Sequence, residues 1–93
     1  MIEYEDIKWS NPLRISLEAH NTDRNVKRFY DIAIMPSLFS HHSVLISYGR
    51  IGQKPRYISY IASSLDEAIN FIKPRLKKRL NAKKRIGCNY KFS

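Results

Sequence analysis

Between Lys73 and Arg85, eight of thirteen residues are basic: Lys73, Arg75, Lys77, Lys78, Arg79, Lys83, Lys84 and Arg85. No acidic residue interrupts the run. At about 100° per residue on a helix, these side chains cover every face except a stripe of Leu76 and Leu80. Like charges at i,i+4, as in Lys73/Lys77 and Arg75/Arg79, destabilise an isolated helix mildly. A bound polyanion supplies the missing counter-charge, so the run points to anion binding. The alternative is a merely solvated lysine face, which usually carries interspersed Glu.

A second cluster comprises Tyr48, Arg50, Lys54, Arg56 and Tyr57, with Gly49 and Gly52 flanking Arg50 and Ile51. Aromatic rings stack on sugars or unpaired bases, and arginine forks onto phosphate oxygens. Two structural readings stay open beside these. Tyr48 can be a core ring at the end of a strand, and Arg50 can fix its loop against backbone carbonyls. Arg28 adds to the basic face, whereas Phe29 and Tyr30 next to it read as core.

The search for catalytic groups is negative. His41 and His42 are adjacent, so their rings diverge, which is poor metal-ligand spacing. Cys88 has neither a C-x-x-C partner nor a convincing general base and reads as a packing or idle residue. The eight carboxylates are scattered, and no P-loop, G-x-G-x-x-G or G-x-S-x-G is present. Gly49-Arg50-Ile51-Gly52 lacks the Lys-Ser/Thr and the following helix of a phosphate loop. No enzyme, cofactor or metal is expected.

Charge distribution supports the binding reading. Residues 1–31 carry a net −1, residues 32–93 a net +10, and the 93-residue chain +9. So one-sided a field attracts polyanions. Length allows one domain with a modest core, and the 43% hydrophobic content fits a folded chain. The single cysteine excludes an intrachain disulfide. Met1–Asp6 is acidic and lacks the features of a signal peptide, and no apolar stretch has the length of a membrane span. The expected location is the cytoplasm, or the nucleoid within it, with no membrane partner.

The elements that must position these residues follow from periodicity. Residues 1–12 read as an irregular lead-in ending in the turn signal Asn11-Pro12, and residues 13–93 as one domain. Leu13, Ile15 and Leu17 alternate with polar residues, as in a half-buried strand. A polar loop at 20–25 precedes a strand over 27–35, with Tyr30, Ile32 and Ile34 on one face. A third strand, 43–48, puts Val44, Ile46 and Tyr48 together, and a fourth covers 56–62. Ser64 and Glu67 form a capping box for a helix whose apolar stripe is Leu65, Ala68, Ile69, Ile72, Leu76 and Leu80. Pro74 is expected to bend or split that helix near Lys73, and Gly87 to end it. The fold class is α+β, an antiparallel sheet of about four strands with one long C-terminal helix packed on it.

In this order the chain resembles the WGR domain family. Asn25-x-x-Arg28-Phe29-Tyr30 compares with the family's N-x-(K/R)-(F/Y)-Y, and Tyr48-Gly49-Arg50-Ile51-Gly52 with its W-G-R-(I/V)-G. A basic strand follows, then a Ser-led helix with Glu67-Ala68 and Phe71, and Lys84-x-x-Gly87-x-x-Tyr90. The family includes DNA-dependent poly(ADP-ribose) polymerases and short bacterial proteins, and this chain is similar to the latter. The resemblance implies a module that binds DNA at break ends. Tyr48 stands where the family's tryptophan stacks on a terminal sugar, and Arg50 where its arginine makes a backbone or docking contact. Tyrosine offers a smaller stacking surface than tryptophan. The resemblance covers only the WGR module and no catalytic domain, so no ADP-ribosyl transferase activity is expected to carry over.

The expected function is therefore sequence-independent DNA binding, with a preference for ends or distorted duplex. The expected contacts are Arg28, Tyr48, Arg50, Lys54, Arg56, Lys73, Lys77, Lys78, Lys83, Lys84 and Arg85. Charge does not separate DNA from RNA. The alternative function is a protein-interaction module docking an acidic partner through the same basic face.

Overall fold

Strict alternation of apolar residues builds the sheet. The computed structural model describes residues 4–93; Met1–Glu3, the start of the expected lead-in, lie outside the described residues. The strands β1 (Leu13–Asn21), β2 (Val26–Pro36), β3 (His42–Arg50), β4 (Arg56–Ala62) and β5 (Lys91–Phe92) form one antiparallel sheet. Their order is β4-β3-β2-β1-β5. The described lead-in holds a 3-10 turn at Tyr4–Asp6, and its Tyr4, Ile7 and Trp9 pack on the core edge.

Cross-strand partners put Leu17, Tyr30 and Tyr48 in one row and Ile15, Ile32 and Ile46 in the next. These rows share the buried face with Ile34, Val44 and Ala62. The helix α1 (Leu65–Leu80) completes the core with Ala68, Ile72 and Leu76, all fully buried. Each large aliphatic side chain so buried contributes about 1.5–3 kcal/mol. On one flank of α1, Phe71 stacks on Tyr60 with ring centroids 4.3 Å apart, and Arg75 lies over Phe71 at 3.8 Å. The opposite sheet face is uncovered and exposes Leu45, Tyr57 and Ile61.

The α+β fold with one long helix on an antiparallel sheet is as expected, and three details differ. The sheet has five strands, because the chain after the helices returns and Lys91–Phe92 pairs with β1. The helical region is two helices: α1 closes where the Asn81 N–H meets the Lys77 carbonyl at 3.1 Å, and α2 (Lys83–Ile86) ends at Gly87. Pro74 does not split α1. It cannot donate to the Asn70 carbonyl, but Ile72 and Leu76 on either side of it are anchored in the core. One residue on, the Arg75 Nη1 donates to the Phe71 carbonyl at 2.9 Å.

The helix start shows a variant of the expected capping box. Ser64 Oγ accepts the Glu67 N–H at 3.1 Å. The Glu67 carboxylate reaches one residue further back than the box requires, to the Ser63 N–H at 3.0 Å and the Ser63 hydroxyl at 2.6 Å. It also accepts from the Tyr60 hydroxyl. Hydrogen bonds from the Ser63 hydroxyl, the Tyr60 hydroxyl and the Ser63 N–H hold its pKa down to about 2, below the ordinary 4.5. A depressed folded value means that the stabilisation is complete above about 4.5 and disappears as pH falls through about 2. Thermal unfolding between about pH 2 and 6 is expected to show a smaller acid loss in Glu67→Gln than in the parent. Ser64→Ala, which removes the cap acceptor, is expected to cost about 1 kcal/mol at neutral pH.

Candidate nucleic-acid interface

The antiparallel register gathers Arg28, Arg50 and Arg56 at one end of the sheet. Arg28 lies opposite Arg50, and Tyr48 opposite both Tyr30 and Arg56. Alternation places all of these on the face that α1 covers, just beyond the point where the helix stops shielding it. There Arg28, Tyr48, Arg50 and Arg56 border a surface groove of about 420 Å³. Arg28, Arg50, Lys54 and Arg56 come from the sheet and its β3–β4 loop, while Arg79 and Arg85 come from α1 and α2. Among the described residues no Asp or Glu lines the groove.

Tyrosines form its apolar part. Tyr48 and Tyr90 line it, and both lie against Tyr30, which is 1% exposed. Ring centroids are 5.8 Å apart for Tyr30–Tyr48 and 6.4 Å for Tyr30–Tyr90. Tyr48 thus serves the core and remains half-exposed. Arg79 sits over the Tyr30 ring, its guanidinium carbon 4.3 Å from the centroid. This cation–π contact holds a half-buried positive charge at the groove without a carboxylate. Burial pushes the Tyr30 phenol above its ordinary pKa, and the nearby Arg79 opposes that rise.

Arg50 has internal partners. Its Nη1 donates to the Asn25 carbonyl at 2.9 Å and its Nη2 to Asn25 Oδ1 at 3.1 Å. These bonds restrain a guanidinium that would otherwise sit freely beside Arg28, its like-charged cross-strand neighbour. In the following loop Ile51 N–H meets the Lys27 carbonyl at 2.8 Å, and Gly52 takes a φ of 87°, which suits glycine.

The helical cations do not all share one surface. Residues 75 and 79 lie about 200° around the helix from 73 and 77, so the two pairs occupy opposite flanks. Lys73 Nζ is 6.0 Å from the Trp9 ring and Lys77 Nζ is 5.6 Å from the Tyr4 ring, both on the lead-in side. Lys83 borders a different depression, shared with Glu18, His20 and Lys91. Lys78 and Lys84 are exposed and line no part of the groove. Of the eleven residues expected as contacts, the groove brings together Tyr48, Arg50, Lys54, Arg56, Arg28 and Arg85. It adds Arg79, Tyr90 and Gln53, which the expected contact set lacked. Arg79 had a signal in its i,i+4 spacing from Arg75, but sequence alone does not show which helix flank faces the sheet end.

The remaining chemistry-bearing residues are engaged elsewhere. His42 Nδ1 accepts from Asn11 Nδ2 at 2.7 Å, and His20 pairs with Glu18 at 2.8 Å. Cys88 is half-buried at the core edge. Among the described residues no group of His, Cys, Asp or Glu is arranged to hold a metal, and no helix is long and apolar enough to cross a membrane.

Comparison with known proteins agrees with the ordered motifs. An uncharacterized protein, y4dW, of Sinorhizobium fredii is 28% identical over 78 residues, which is 84% of this chain. The chain spans 38% of that relative's length. The family model described as WGR domain matches residues 13–87, from the start of β1 to the glycine that ends α2. On that match the chain belongs to the WGR domain family.

Proposed function

We propose that this chain is a non-enzymatic module that binds DNA without reading its sequence and prefers ends or distorted duplex. WGR domains are non-catalytic modules of nucleic-acid-binding type. The observation that carries the reading is the groove, where six cations and two tyrosines meet without a carboxylate. Phosphates supply the counter-charge, and the exposed part of Tyr48 offers a ring to a terminal sugar or an unstacked base.

A salt titration on a short duplex tests this. If about five phosphates are neutralised, log affinity falls against log salt with a slope of about −4 to −5. Absence of binding at about 50–100 mM salt would remove the proposal. The preference for ends has its own test. Tyr48→Ala is expected to weaken binding to linear duplex several-fold more than to closed circular DNA. Equal losses on both would leave only the charge contribution.

A further inference from the structure

The groove has two walls from distant parts of the chain. One is the β3–β4 loop with Arg50, Gln53 and Lys54, and the other is α2 and its exit with Arg85 and Tyr90. Both are fastened to one short segment, residues 21–25, which runs from the last residue of β1 through the turn into β2 and lines no part of the groove.

On the loop side, Asn25 takes a φ of 54° and offers its carbonyl and its Oδ1 to the two Nη atoms of Arg50, at 2.9 and 3.1 Å. A residue in this left-handed conformation is uncommon unless it is Gly, Asn or Asp. On the helix side, Asn21 at the end of β1 donates from Nδ2 to the Gly87 carbonyl at 3.2 Å. The fit there is close: a Cβ on Gly87 would lie 2.5 Å from Arg24 Cδ and 3.0 Å from Asn21 Nδ2. Gly87, at a φ of 89°, ends α2 directly after Arg85 and Ile86.

We propose that Asn21 and Asn25 are positioning residues that set the separation of the two groove walls, with Arg50 acting as the cross-tie on the loop side. The inference rests on the groove being the DNA interface. Two neutral residues, Asn21 just before the turn and Asn25 at its end, thereby fix where Lys54 and Arg85 stand relative to each other, and so which phosphate spacing the groove accepts. Arg50 contributes through Asn25, and the phosphate charge is met by Arg28, Lys54, Arg56, Arg79 and Arg85.

The test compares affinity with salt slope on a short DNA duplex. Asn21→Ser/Asn25→Gly removes both side-chain ties, while glycine keeps the left-handed turn. Affinity is expected to fall about five- to ten-fold, with the slope within about 0.3 of the parent, because no phosphate-neutralising cation is lost. Arg56→Ala is expected to reduce the slope by about 0.9. Asn25→Asp keeps the turn preference and the oxygen acceptor, and is expected to bind within about two-fold of the parent. In a double-mutant cycle, Arg50→Ala is expected to cost less affinity when Asn25 is already glycine, by the share carried by the Oδ1 bond, since the backbone carbonyl still accepts from Arg50 Nη1. A parent that binds while the asparagine variants match it in affinity would overturn the inference and leave the DNA reading standing. Additive losses for Arg50 and Asn25, with a slope reduced by about 0.9 in Arg50→Ala, would make Arg50 a phosphate ligand and also overturn it. A parent that does not bind duplex overturns both readings.

Discussion

Arg56→Glu/Arg85→Glu is expected to reduce affinity for a short duplex about 100-fold or more at 100 mM salt, and to lower the salt slope by about 2. These residues border the same groove from opposite sides, one at the start of β4 and one in α2. Reversal removes two phosphate partners and places two repelling charges where the backbone would lie. Both are exposed and, among the described residues, neither forms an ion pair, so the folded state loses little. The matching control is Lys73→Glu/Lys77→Glu on the opposite helix flank, which changes the net charge identically. Screening over about 8–10 Å confines its effect, and a loss within several-fold is expected. Equal losses from the two double variants, read by fluorescence anisotropy of labelled duplex, would show that overall charge and not the groove governs binding.

Tyr30→Ala is expected to destabilise the domain by about 3–5 kcal/mol, the usual cost of truncating a buried aromatic. For a domain of this size that corresponds to a fall in Tm of roughly 15 °C or more. The side chain is 1% exposed and supports three others: Tyr48, Tyr90 and Arg79. Removing it opens a cavity beneath the groove and leaves the Arg79 guanidinium without its aromatic face. Tyr30→Phe retains the ring and is expected to keep most of the stability and most of the binding. Thermal unfolding followed by circular dichroism checks both variants. A small loss in Tyr30→Ala would mean that the ring is not the shared support of core and groove.

Four strands were legible because each buries one face, which imposes a period of two on residues such as Val44, Ile46 and Tyr48. The fifth was not, since two residues have no period and Lys91–Phe92 is a strand only because α2 delivers it beside Glu18 and Leu17. Of the two outcomes expected at Pro74, a bend or a split, the split is absent for a different reason. One missing backbone hydrogen bond suggests a break, but the burial of Ile72 and Leu76 offsets that loss. The end of α1 at Asn81 was hidden in a run where eight of thirteen residues are basic and no Gly or Pro marks the stop.

The candidate site divides along similar lines. Its strand half could be read, because alternation alone places Arg28, Tyr48, Arg50 and Arg56 on one face. Its helical half depends on how α1 lies across the sheet, which turns Arg79 toward the groove and Lys77 away from it. The Asn25 clamp on Arg50 was beyond periodicity altogether, since it links residues 25 positions apart.

Trp9 is the sole tryptophan of the chain, and it sits with Lys73 on the flank of α1 that faces away from the tyrosine-lined groove. Its intrinsic emission is therefore a built-in gauge of whether the polypeptide is folded, nearly blind to an occupant of the groove. A spectrum that shifts red with denaturant yet holds steady on adding duplex would place the ligand far from the indole. Strong quenching by duplex would instead bring the nucleic acid to the lead-in side.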